Sequence, residues 1–299
     1  MSHVLVLGRG WVGAAVEAAA RRHADVAEIT AIDPPLHPDL VSRDAAAADH
    51  LRTVVADGAV TAVINACGRV EGSEAELEDA NLHFVDWLLD ALDGRDVRLV
   101  HVGSASELGD PGSDQPVPES FDGRPVGAYA TTKAAGTSAM LAAHRAGVDA
   151  TVARVFNIVG HPPPAASPIG RWLADLAALG AAGGAVDVWW PPTTRDFVLL
   201  DDVAQALVDL ALLEGPAPAL LNICSGVGLR YGEIVEALAS ATGVPATVHS
   251  LARPGIPAVV GDPALLQATL GWAPAMSLAA LVDGALGGRG TGGEPGVSR

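Results

Sequence analysis

Apolar residues run almost unbroken through "HVLVL" (3–7) and stop at a glycine, the length and boundary expected of a buried strand. Past "GRGWVG" the pattern changes to the alanine-rich "AAVEAAARR", which reads as a helix, and then to "AEITAID", a second strand closed by an acid. Two further apolar runs, "VTAVINACG" (60–68) and "DVRLVHVGSAS" (96–106), read as buried strands with small residues at their ends. Strands alternating with helical stretches predict an α/β fold built on a doubly wound parallel sheet. Residues 109–125, rich in proline, glycine and acid, read as a loop. A helix is predicted from Ala128 to Arg145, where alanine dominates and the only glycine is Gly136. The stretch "LEDANLHFVDWLLDAL" (77–92) offers more apolar positions than a single core needs.

With 299 residues and 49% hydrophobic content the chain can bury a large core. Its formal charge of -17 argues against nucleic acid and acidic membranes as partners, because like charges repel. An anionic substrate would have to be held by a few local cations and helix N-termini. The most apolar window, 172–190, carries Asp175, Asp187 and three glycines, so no membrane span is expected. Cys67 and Cys224 lack metal-ligand spacing, as do His101 and His161, and no metal is expected. The cysteines read as free thiols of a reducing cytoplasm, and no secretory signal precedes the first strand. The tail, 287–299, is expected to be disordered.

The order strand, glycine loop, helix, strand, acid is that of a dinucleotide site. Gly8 permits a tight turn, Gly10 lets a pyrophosphate approach the backbone, and Gly13 lets helix and strand pack closely. Asp33 stands twenty residues after Gly13, where a carboxylate can accept from both ribose hydroxyls. Arg9, Trp11 and Val12 in the loop, Asp44 before the next helix, and Ala66 and Gly68 after the third strand complete the cofactor candidates. The fourth strand delivers Ser104 to the same carboxyl-end rim.

Tyr129 and Lys133 lie four residues apart at the head of the predicted helix and so share one face. A phenol is a poor base near neutrality, but a nearby ammonium favours its phenolate. Spacing alone leaves open a packed tyrosine beside a solvated lysine.

These landmarks, followed by "RVFNIVG" (154–160), "RDFVLLDDVAQAL" (195–207), "LNICSG" (221–226) and "RPGIPAVVGDPALLQATLGWAP" (253–274), resemble the extended short-chain dehydrogenase/reductases, in their epimerase/dehydratase branch. The resemblance covers the chain to about residue 286. It implies a Rossmann-type domain with a small C-terminal substrate lobe and a bound nicotinamide cofactor, which Asp33 marks as NAD rather than NADP. It makes Ser104, Tyr129 and Lys133 catalytic: Tyr129 exchanges a proton with the sugar oxygen, Ser104 bonds the same oxygen, and Lys133 holds the nicotinamide ribose and lowers the phenol pKa. It assigns Asn157 to the substrate, and Arg195 and Arg253 to its diphosphate. Asn81 matches a family asparagine and is as well read as structural, while Arg154 is expected in an internal ion pair. A homodimer pairing the 77–92 and Tyr129 helices is implied as well.

Departures qualify the resemblance. The first family glycine is Leu7 here, and a family Tyr-Gly pair is Leu108-Gly109. The acidic pair of the sugar dehydratases is replaced by Ala105 and Ser106, with Glu107 the only acid nearby, which disfavours dehydration. Arg9 can meet a 2′-phosphate but opposes Asp33. Trp189 and Trp190 read as packing residues rather than a stacking surface. The expected division is 1–161 and 195–226 for the cofactor domain, with 162–194 and 227–286 for the substrate lobe. The reading is an NAD-dependent nucleotide-sugar epimerase acting through a transient keto sugar. An NAD(P)H-dependent 4-keto-6-deoxysugar reductase is the alternative, and a catalytically silent cofactor-binding regulator is the rival of another class.

Overall fold

The computed structural model of the chain describes residues 2–34, 37, 39–251 and 255–288. In chain order its first part is β1 (Ser2–Leu7), α1 (Trp11–Arg22), β2 (Val26–Ile32), α2 (Ala45–Asp57), β3 (Ala62–Asn65), α3 (Glu74–Glu78), α4 (Phe84–Ala91), β4 (Arg98–Ser104), α5 (Ala128–Arg145) and β5 (Ala150–Val155). There follow β6 (Asn157–Val159), α6 (Pro168–Leu179), β7 (Gly184–Trp189), β8 (Thr194–Leu199), α7 (Leu200–Leu212) and β9 (Leu220–Ile223). The last are β10 (Gly228–Arg230), α8 (Tyr231–Thr242), β11 (Ala246–Leu251), β12 (Ala258–Val259), α9 (Ala264–Leu270) and α10 (Leu278–Leu286).

Six parallel strands form the main sheet in the order β2-β1-β3-β4-β5-β9. This is a Rossmann-type arrangement, with its topological switch between β1 and β3. The apolar runs become its central strands because both faces are covered. One face packs Val16 of α1 and Leu207 of α7 against β1, β3 and β4. The other packs Leu51 of α2, Leu88 of α4 and Met140 of α5. β6 turns out of this sheet and pairs with β8.

A third apolar cluster builds the smaller lobe from Trp172 and Leu176 of α6, Val186 of β7, Leu238 of α8 and Leu281 of α10. Asp196 of β8 ties this region back to the sheet. Its buried carboxylate accepts the amides of Ser225, Gly226 and Gly261 at 3.0, 2.9 and 3.2 Å and the Ser225 hydroxyl at 2.6 Å. Burial raises its pKa and these bonds oppose the rise, as a satisfied interior carboxylate requires. Among the described residues no helix is long and apolar enough to cross a membrane. All of the expected disordered tail beyond residue 288 lies outside the described residues.

The helix predicted for 128–145 is α5, with those bounds. The predicted 77–92 helix is broken by a π-helical turn at Asp79–His83, and Asn81 of that turn is buried against α5. Gly136 makes the contact possible, since a Cβ there would stand 2.3 Å from the Asn81 carbonyl oxygen. Asn81 Nδ2 donates to the Arg69 carbonyl at 3.0 Å and to Thr132 Oγ1 at 3.1 Å, and Oδ1 accepts the Arg69 amide at 3.0 Å. It therefore holds the loop after β3 against the Tyr129 helix, the structural one of its two readings.

Gly136→Ala should destabilise the protein by about 1–3 kcal/mol through this overlap. A helix free of the contact would instead gain about 1 kcal/mol from the substitution. Urea unfolding decides between the two signs.

Candidate active site

The glycine loop sits between the carboxyl ends of β2 and β3. Gly8 N donates to the Ile32 carbonyl at 2.8 Å, and Ala66 N donates to the Leu7 carbonyl at 2.8 Å. Gly8 has φ +91°, and a Cβ there would lie 2.9 Å from the Ala66 carbonyl carbon. A Cβ on Gly13 would lie 1.8 Å from the Gly8 oxygen. Both positions therefore require glycine. Gly10 caps α1 without any side-chain bond, and the first turn contains no acid. The amides around Trp11, Val12 and Gly13 are thus left to an anion, and this cradle fits a dinucleotide pyrophosphate.

Asp33 directly follows β2 at the same rim. Arg9 points to Glu17, 3.4 Å away. Asp44 spends a carboxylate oxygen capping α2, accepting from Ala47 N at 2.9 Å, and this bond is the first cause of its lowered pKa. Beside Asp33 opens a cleft of ≈ 440 Å³ whose walls include Leu40, Cys67 and Gly68. Arg43, on its border, is held by Asp79 at 2.6 and 2.8 Å. Burial, then the Asp33 charge, pushes the Cys67 thiol up to about 12, so it is no thiolate nucleophile.

Ser104 ends β4, and the Tyr129 hydroxyl donates to its Oγ at 3.3 Å. Ser104 Oγ also accepts the Ser106 amide at 3.2 Å, so the serine caps a short 3₁₀ turn while facing the tyrosine. Lys133, one helical turn on, is buried and donates Nζ to the Val102 carbonyl at 2.6 Å. A Cβ on Gly68 would lie 3.9 Å from that Nζ, which places the end of β3 beside the lysine. The fold thus brings the three candidates together, with Lys133 beside Gly68 of the cleft wall.

Burial pushes the Tyr129 phenol upward, the Ser104 bond opposes it, and the Glu107 charge raises it further. The Lys133 pKa is lowered to about 8, first by burial, with Glu107 and Cys67 pulling the other way. The Tyr129 phenol is therefore protonated at neutral pH.

The substrate candidates are spread over the lobe boundary. Asn157 Nδ2 donates to the Asp196 carbonyl at 2.7 Å, fastening β6 to β8. Arg195 donates to the carbonyls of Thr194 at 2.8 Å and Ile256 at 3.0 Å, and its guanidinium lies 5.9 Å from the Tyr231 ring centre. Arg253 lies outside the described residues. Trp189, expected to pack, is 54% exposed on β7, and Trp190 takes φ +47°.

Glu107 is the group that sequence reasoning undervalued. It faces inward rather than into the cleft: it is 3% exposed, and Oε1 accepts the Ser104 amide at 2.8 Å. The Ser-x-x-Glu spacing from Ser104 to Glu107 was the legible signal, since it is that of a capping box. Arg154, the expected internal ion-pair residue, approaches its carboxylate to 3.6 Å. The fold also brings one donor atom each of His37, Asp39 and His50 within 4.8 Å, a grouping that spacing along the chain did not show. There His37 Nδ1 already accepts the Asp39 amide at 3.3 Å.

The model of the NAD dependent epimerase/dehydratase family matches residues 4–224. A dTDP-6-deoxy-L-talose 4-dehydrogenase (NAD(P)(+)) of Kitasatospora kifunensis is 31% identical over 235 residues, 73% of this chain and 72% of the relative. Among solved structures, RMD from Pseudomonas aeruginosa complexed with NADPH aligns with a TM-score of 0.80 at 24% identity, covering 97% of this chain and 99% of that one. The UDP-glucuronic acid 4-epimerase of Bacillus cereus, in complex with UDP-glucuronic acid and NAD, aligns with a TM-score of 0.79 at 17% identity, covering 96% and 98%.

The buried Lys133 ammonium generates a stability prediction. The unfolded chain keeps this proton up to its ordinary 10.5, whereas the folded protein releases it at about 8. Between those values the unfolded state binds more protons, so this lysine's destabilising effect is full below pH 8 and fades as pH rises to 10.5. Lys133→Met should therefore be more stable than wild type at pH 7, by about 1–3 kcal/mol after allowing for the lost Val102 bond. The gap should close towards pH 10.5, read by urea midpoints across the range.

Proposed function

From its membership in the NAD-dependent epimerase/dehydratase family, to which this chain belongs, we propose that the protein is an NAD(P)-dependent oxidoreductase interconverting a nucleotide-bound keto sugar and its alcohol. The observation that carries this is the Tyr129 hydroxyl on Ser104 Oγ, one helical turn from the buried Lys133 at the rim of a pyrophosphate cradle. The 4-dehydrogenase relative supports a 6-deoxy sugar reacting at its 4-position.

When bound, the nicotinamide cofactor supplies or accepts the hydride at the sugar carbon. The chain's own residues do the rest. Ser104 and Tyr129 bond the reacting oxygen, and Tyr129 gives it a proton as the ketone becomes an alcohol. Lys133, behind the tyrosine, offers a cationic donor to the cofactor ribose. The amides at the start of α1 hold the pyrophosphate, and Asp33 accepts from the adenosine ribose. Arg195, with Arg253, serves the substrate diphosphate, because a guanidinium fork matches phosphate oxygens.

A second reading is the epimerase, favoured by Asp33, which suits a retained NAD. The two separate on stoichiometry: the oxidoreductase consumes one NAD(P)H per keto sugar, while the epimerase interconverts nucleotide sugars with none added. The inward-facing Glu107 supports neither proton removal at C5 nor dehydration. The homodimer remains a proposal, and a monomer mass in light scattering would overturn it.

Tyr129→Phe should lower turnover on a nucleoside-diphosphate 4-keto-6-deoxyhexose by about 10²–10⁴-fold with cofactor affinity little changed. Near-normal turnover would remove Tyr129 from the chemistry. Wild type should bind NAD about ten-fold or more tightly than NADP, because a 2′-phosphate would meet the Asp33 carboxylate at a cost of about 4 kcal/mol before relaxation. Asp33→Ser should narrow or reverse that preference. Arg9→Ala should mainly weaken NADP. Dissociation constants of both cofactors for the three proteins test this.

A further inference from the structure

We propose that Glu107 is a positioning residue that helps hold Tyr129 in the protonated form from which reduction of the keto sugar starts. The inference rests on the oxidoreductase reading for its consequence, but the physical effect belongs to the folded chain alone.

Glu107 stands behind the reacting groups. Oε1 accepts the Ser104 amide at 2.8 Å, which fixes the carboxylate under the serine that receives the Tyr129 hydrogen bond. Gly103 leaves the room for this, since a Cβ there would lie 3.2 Å from Oε1. Oε2 faces Arg154 Nε at 3.6 Å, too long for a hydrogen bond, and neither atom has another partner. Arg154 Nη1 turns instead to Asn222 Oδ1, 3.4 Å away. The carboxylate thus shares a dry interior with one guanidinium at ion-pair distance, and charges there act over longer range than in water.

Its field reaches both members of the couple. It disfavours the Tyr129 phenolate and favours the Lys133 ammonium, in each case against or with the larger effect of burial. Apart from Arg154, which pairs with the carboxylate, the other groups around them are uncharged or engaged elsewhere. Cys67 faces Lys133 from the end of β3 with its thiol protonated, and His101 faces it from β4 as a neutral imidazole. The π-helical turn presents uncharged Asn81 to α5, while Asp79 is taken by Arg43. Glu119 acts on Arg154 from the 109–125 loop and bonds the Asn222 amide at 2.8 Å. Lys133, whose ammonium would otherwise favour the phenolate, donates to Val102 at 2.6 Å.

For chemistry the consequence is directional. In reduction the Tyr129 O–H bond breaks, its proton passes to the carbonyl oxygen, the keto carbon gains the hydride, and NAD(P)H is oxidised. A phenol kept protonated is the form that this direction needs, and alcohol oxidation needs the phenolate that Glu107 opposes.

The chain's two tyrosines make the test direct. In a Tyr231→Phe background, ultraviolet difference titration reads the Tyr129 phenolate without any substrate or turnover. Glu107→Gln should move its midpoint down by about 1 pH unit or more, and Glu107→Asp, which keeps the charge, should restore most of it. Because Glu107→Gln leaves Arg154 unpaired, the double variant Glu107→Met/Arg154→Met removes the ion pair with no change in net charge, and its midpoint should fall less than that of Glu107→Gln. An unchanged midpoint in folded Glu107→Gln overturns the proposal, as does unfolding of both variants, which would make Glu107 purely structural. The activity arm is separate. Glu107→Gln should lose keto-sugar reduction increasingly as pH rises through the shifted midpoint, in kcat rather than KM. A wild type inactive on nucleotide sugars but showing the expected titration would refute the proposed reaction and leave the role of Glu107 in the Tyr129 proton state standing.

Discussion

A lysine ammonium buried between β4 and α5 constrains the rest of this molecule. Desolvation disfavours its charge, so the wall around it has to supply donors and counter-charges: the Val102 carbonyl directly, and Glu107 at longer range. That requirement fits a carboxylate under the sheet rim, and the buried carboxylate in turn has Arg154 at ion-pair distance. It also accounts for the close seat of α5, whose approach depends on Gly136 and on the π-helical turn that offers Asn81 to it. π-helical turns interrupting α-helices are frequent at functional sites.

The anion-binding end follows from a different constraint. An acidic chain has to hold an anionic ligand without a large positive surface. It does so with backbone: two glycines whose side-chain positions are filled by neighbouring main chain, and a helix start with no capping group of its own. The arginines near this end are already engaged by carboxylates, Arg9 by Glu17 and Arg43 by Asp79. What this end offers a ligand is therefore amide geometry and the Asp33 carboxylate more than net charge.

The lobe is joined to the sheet by polar contacts as well as by packing. Asp196 gathers the turn after β9 and the end of β12 on one carboxylate, and Asn157 takes the Asp196 carbonyl. Arg195 stands next in the chain to this clamp, over the ring of Tyr231. The arginine and the clamp are thus neighbours in sequence, which gives Arg195 a fixed place at the lobe boundary.

Much of this was written locally. Apolar runs bounded by glycine predicted the central strands, because a strand covered on both faces has no polar positions to spare. The glycine loop, Asp33 and the four-residue spacing of Tyr129 and Lys133 were legible because backbone geometry and helical periodicity set them within a few residues. Ser104 could be placed at a strand's carboxyl end for the same reason. What only the tertiary structure decided were the contacts between distant segments: β6 leaving the sheet for β8, Asn81 turning into α5, Arg154 reaching Glu107 across β4 and β5. The proton states belong to this second class. Whether a lysine lowers a tyrosine or is itself depressed depends on burial and on charges from other strands, and no spacing along the chain encodes either.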